Sequence, residues 1–89
     1  MLRELQQDLY TLKDPEKARL LSGFFKTGKG EYGEGDLFLG ITMPVQREVA
    51  KKYYREISLK EVEQLLHGKY HEERMTSLII LTYKFKKAS

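Results

Sequence analysis

Eighty-nine residues carry 16 Lys and Arg against 13 Asp and Glu, a net charge of +3, with 40% apolar and 33% charged side chains. That is enough chain for one small core and too little for a protein kinase, a TIM barrel or a two-domain dehydrogenase. Cys is absent, which excludes disulfide staples and thiolate metal sites and points to a reducing, cytoplasmic setting.

The longest apolar run, Leu78-Ile79-Ile80-Leu81, is far shorter than a membrane span. Charged residues interleave Leu2, Leu5 and Leu9, so the N-terminus does not read as a signal peptide. Charge is unevenly spread. Residues 1–40 hold six basic and seven acidic side chains, whereas residues 41–89 hold ten and six. The second half is thus the more suited to a polyanion.

Periodicity predicts five helices. The first spans about residues 2–12, with Leu2, Leu5, Leu9 and Leu12 on one face. Asp14-Pro15 then opens a second, Asp14 capping free amides and Pro15 fitting a first turn where its missing N–H costs nothing. Its expected buried side is Ala18, Leu21, Phe24 and Phe25, with an end near Lys26 and Gly28 just past it. A long glycine-rich connection follows to Leu39; loops of that length in small domains are often functional. The third helix is expected from Pro44 to about Glu56. Ser58-Leu59-Lys60-Glu61 fits a capping box that starts a fourth through Leu66. After Gly68, a fifth runs from about His71 to Lys86. No run alternates as a half-buried strand does, so the fold class is all-α.

A short helix followed by a long one is the unit of a HEAT-like solenoid. In the fifth helix Met75, Leu78, Ile79, Leu81, Thr82 and Phe85 cover more than half the circumference, with Ile80 and Tyr83 on the remainder. This predicts a further repeat beyond residue 89, and self-association through the face of Ile80 and Tyr83 when that repeat is absent. The other reading is that both are isolated surface residues.

Three motifs bear on chemistry. Gly28-Lys29-Gly30-Glu31-Tyr32-Gly33 spells the dinucleotide fingerprint, yet it follows a helix rather than a strand and opens none. It reads as a mobile connector or as a loop whose bare amides, with Lys26 and Lys29, approach a phosphate backbone. His67 and His71 have metal-ligand spacing, but Gly68 between them breaks the helix and no metal or cofactor is expected. The third helix is more informative. With Val45 at zero, Arg47, Lys51 and Arg55 fall at about 200°, 240° and 280°, opposite an apolar arc. Such a row either tracks a nucleic-acid backbone or is a solvated face with Glu48 as compensation. No nucleophile–base pair stands out, so the residues alone identify no enzyme.

The string FFKTGKGEYGEGD at residues 24–36, continued by LFLGITMPVQR at 37–47, resembles the N-terminal signature of DNA alkylation-repair enzymes. These are AlkD-type glycosylases built from HEAT-like repeats. Asp14-Pro15-Glu16-Lys17-Ala18 and Tyr70-His71-Glu72-Glu73-Arg74 resemble the same family, so the similarity covers essentially the whole chain. It implies a parent protein that hydrolyses the N-glycosidic bond of N3- or N7-alkylated purines in double-stranded DNA. Such a base leaves readily because it is already cationic, and the enzyme mainly stabilises the developing positive sugar. In the family that task falls to an aspartate and tryptophans of later repeats. This sequence has no Trp, which implies a single N-terminal domain over residues 1–89, inactive alone and part of a longer array. DNA contact is what carries over. The helix after the FLG…P motif faces DNA in the family, which implies roles for Arg47, Lys51 and Arg55, for Thr42 in the preceding turn, and for Lys29 in the loop. The rival reading is a HEAT-like protein–protein scaffold without enzymatic activity.

Overall fold

Leucines at three- and four-residue steps do form the first helix, α1 (Leu2–Thr11), where Leu5 and Leu9 are fully buried and Leu12 is left exposed beyond its end. The computed structural model describes residues 1–24, 30 and 35–88. Among them the architecture is all-α, with α2 (Pro15–Phe24), α3 (Met43–Tyr53), α4 (Leu59–Leu66) and α5 (His71–Ala88) following α1. The one β feature among the described residues is an isolated parallel bridge between Leu37 and Tyr70. No described helix is long and apolar enough to cross a membrane.

The core lies where α3 and α4 pack on α5 and α1 closes over them. Leu5, Leu9, Val49, Tyr53, Ile57, Val62, Leu65 and Ile80 fill it. α4 begins as its sequence requires. Ser58 Oγ accepts from the Glu61 amide at 3.1 Å, and Glu61 Oε1 accepts from the Ser58 amide at 3.0 Å, closing the capping box.

Glu61 also accepts from the Leu2 amide at 3.0 Å, tying the start of α1 to the start of α4. The backbone hydrogen bonds from Ser58 and Leu2 hold its carboxyl down at about 2, against an ordinary 4.5. A depressed carboxyl stabilises the fold fully above its unfolded value and loses that contribution as pH falls through the folded one. Thermal melts from pH 6 to pH 2 should therefore steepen below about 4.5, and Glu61→Gln should flatten that limb. Parallel melting curves for the two proteins below pH 4.5 would contradict this.

α5 does not sit as its sequence pattern predicts. Ile80 is 0% exposed, together with Glu72, Thr76 and Ser77, while Leu78 and Phe85 are 47% and 64% exposed. The helix has turned its more polar arc inward, because the two carboxylates on that arc find partners. Glu72 accepts backbone N–H groups from Leu39 (2.8 Å), Gly40 (2.9 Å) and Ile41 (3.2 Å). Glu73 accepts from Gln6 Nε2 (2.9 Å), Tyr10 Oη (3.2 Å) and the Tyr70 amide (3.1 Å). A buried carboxylate surrounded by donors is stable, and one without them is not. The expected self-association face is accordingly corrected: Ile80 is core, and the half-buried Tyr83 packs on Tyr54 with ring centres 5.5 Å apart.

α2 departs too. None of its residues is buried and Phe24 is 78% exposed, so the expected core face of Ala18, Leu21 and Phe24 is not one. Phe25 and the expected end at Lys26 lie outside the described residues. α2 is held by its first turn. Asp14 Oδ1 accepts from the Glu16 and Lys17 amides, as its capping role predicts. The Asp14 amide donates to the Leu39 carbonyl at 2.8 Å. Gly40 makes that junction possible: its φ is +89°, and a Cβ there would overlap the Asp14 carbonyl oxygen and lie 2.7 Å from the Ala18 nitrogen.

Candidate nucleic-acid interface

α3 is built from a short approach. Thr42 is its N-cap in extended conformation, Pro44 stands in the first turn, and Gln46 Nε2 donates back to the Ile41 carbonyl at 2.9 Å. Gln46, Val49, Ala50 and Tyr53 point inward. Arg47 and Lys51 therefore point outward, as their spacing predicts, and both are exposed. Arg47 has no hydrogen-bond or ion-pair partner among the described residues. Lys51 reaches Glu48 at only 3.9 Å, with both side chains largely in solvent, a pairing of little energetic consequence.

The helix ends at Tyr53, three residues short of the expected Glu56. A turn takes over, in which the Glu56 and Ile57 amides both donate to the Tyr53 carbonyl. Arg55 thus sits off the helix. Its Nε donates to Tyr54 Oη at 3.0 Å, and its guanidinium lies 5.6 Å from the centre of that ring. These contacts with Tyr54 hold the Arg55 guanidinium above its ordinary pKa, so it stays cationic throughout the useful pH range. The row remains exposed, but its last member is turned toward α5.

Lys52 looks equivalent in the sequence and is not. Its Nζ lies 2.9 Å from Asp8 Oδ2, the same oxygen that accepts from Tyr53 Oη at 2.7 Å. The hydrogen bonds from Tyr53 and Lys52 lower the Asp8 carboxyl, and Asp8 in turn raises Lys52. The charge of Lys52 is spent on joining α3 to α1.

Between the turn after α3 and the last turns of α5 lies an open cleft of about 630 Å³ lined by Lys51, Lys52, Tyr54, Arg55, Tyr83 and Lys86. Among the described residues no carboxylate lines it. Sequence spacing on α3 alone had no means of finding Tyr83 and Lys86. Thr42 lies elsewhere. It is exposed on the rim of a separate apolar groove of about 450 Å³, between α2 and the starts of α3 and α5. Thr42 caps one end of α3, and Arg55 follows its other end. Lys29, the glycine-rich fingerprint at 28–33 apart from Gly30, and Lys26 lie outside the described residues.

His71, the second member of the histidine pair, is taken up in holding the loop before α3 to α5. Its Nδ1 is 3.1 Å from Asp36 Oδ2, and its ring stacks on Phe38 with centres 4.6 Å apart. Arg74 pairs with the same Asp36 and donates to the Gly68 carbonyl at 2.8 Å.

Fold and site together define a class: an α-helical chain of the stacked-repeat kind that presents one basic helix face to solvent. Residues 5–89 match the family described as DNA alkylation repair enzyme, and the chain belongs to that family. No curated protein and no solved structure matches it. Family membership ties the chain to DNA alkylation repair and suggests DNA as its partner.

Proposed function

We propose that this chain is the N-terminal, DNA-backbone-binding part of a glycosylase that removes N3- or N7-alkylated purines from double-stranded DNA. The observation that carries this is the exposed row of Arg47 and Lys51 on one side of α3 and Arg55 in the turn that follows it, in a member of an alkylation-repair family. Each cation can neutralise one phosphate and release its condensed counterion. Thr42 and Lys29 join the contact set at its margin. Residues 1–89 act as a single HEAT-like domain, and because the chain has no Trp, the groups that stabilise the developing positive sugar belong to further repeats. The setting is the cytoplasm.

At low ionic strength the wild-type chain should bind a labelled duplex in fluorescence anisotropy, while releasing no base from N7-methylguanine DNA. The variant Arg47→Ala/Lys51→Ala/Arg55→Ala should bind at least about 10-fold more weakly while keeping its helical circular dichroism. Equal affinity of a folded variant would sink the reading. The exposed Leu78 and Phe85 on α5 favour a second reading, a protein–protein scaffold. In that case the folded wild type would not bind DNA even at low salt.

A further inference from the structure

We infer that the DNA interface does not end with α3 but continues into the cleft beside α5, where Lys86 and Tyr83 take a further phosphodiester group. This rests on the proposed DNA-binding reading and extends it to residues of a second helix. The cleft opens directly off the basic row, sharing Lys51 and Arg55 with it. Among the described residues four cations and two tyrosines line it and no carboxylate does, a lining that favours an anion.

The individual groups divide the work. Lys52 is committed to Asp8 at 2.9 Å and contributes little to an incoming anion. Arg55 uses Nε on Tyr54, and its two terminal nitrogens make no bond among the described residues, leaving the guanidinium fork for a phosphate. Lys86 stands one turn beyond Tyr83 on α5 and so shares its face. Tyr83 has a ring packed on Tyr54 at 5.5 Å, which restricts how that ring can turn. A neutral donor in the same cleft as Arg55 and Lys86 suits a phosphodiester oxygen, because tyrosine can donate without adding a charge that salt would screen.

The test uses the same labelled duplex with three single variants at several salt concentrations. Lys86→Ala should reduce the slope of log K against log salt by about 1. Tyr83→Phe keeps the ring and should weaken binding roughly 3- to 10-fold with the slope unchanged. Lys69→Ala removes an equal charge just before the first turn of α5, roughly 26 Å from Lys86 by helical rise, and should leave the slope as it is. If wild type binds while Lys86→Ala and Tyr83→Phe match it, or if Lys69→Ala loses as much slope as Lys86→Ala, the cleft is not a contact and the α3 row stands alone. If the folded wild type does not bind at all, the α3 reading fails and the cleft falls with it.

Discussion

Glu72→Gln, a change of one atom type and almost no volume, should destabilise the fold by about 3–5 kcal/mol. The carboxylate is fully buried, and both its oxygens act as acceptors: Oε1 for the Leu39 amide, Oε2 for those of Gly40 and Ile41. A glutamine presents an NH2 in place of one oxygen, so a donor faces a donor whichever way the amide turns. At least one backbone N–H then loses its partner in a place water does not reach. Small domains hold only about 5–15 kcal/mol in total, with short chains at the low end. Urea unfolding of the variant should show most of the cooperative transition gone. A midpoint within about 1 kcal/mol of wild type would mean that the Glu72 bonds are not what holds residues 39–41 to α5.

Gly40→Ala should be comparably severe, at about 2–4 kcal/mol, for a different reason. The added methyl meets the Asp14 carbonyl oxygen and the Ala18 nitrogen, which are backbone atoms that cannot rotate aside. Its φ of +89° is also one that alanine adopts only under strain. Because α2 packs on no other helix among the described residues, this junction ties its first turn to the rest of the fold. Amide exchange in Gly40→Ala should therefore rise first in α2, with α3, α4 and α5 less affected. Uniform protection loss across all five helices would contradict that, and unchanged protection of α2 would contradict the steric argument itself.

These two positions also show what the sequence can and cannot say. The α4 capping box was legible because Ser58 and Glu61 are three residues apart and their bonds are local. Asp14 before Pro15 was legible for the same reason. The placement of α5 was not. Its apolar arc, counted by residue type, points to Leu78 and Phe85, and the inward arc of Glu72, Glu73, Thr76 and Ser77 reads as solvent-facing. What reverses the assignment is a set of partners 31 to 33 residues away along the chain for Glu72 and 63 and 67 for Glu73, and no periodicity encodes them.

The site divides along the same line. Arg47 and Lys51 follow from helical spacing, since Val49, Ala50 and Tyr53 fix which side of α3 is buried. Arg55 was placed by extending the helix too far, and the turn after Tyr53 moves it toward α5. That Lys52 is held by Asp8, and that Tyr83 and Lys86 border the same cleft, depends on how α1, α3 and α5 pack. The family signature at residues 24–47 identified the chain more sharply than its physics did.

If the exposed face of α3 and the turn after it track a DNA backbone, the slope of log K against log salt reports it. Wild type should show a linear fall, and Arg47→Ala/Lys51→Ala/Arg55→Ala a slope shallower by about 2–3, close to one released counterion per cation removed. Identical slopes in two folded proteins would place the phosphates elsewhere and contradict it.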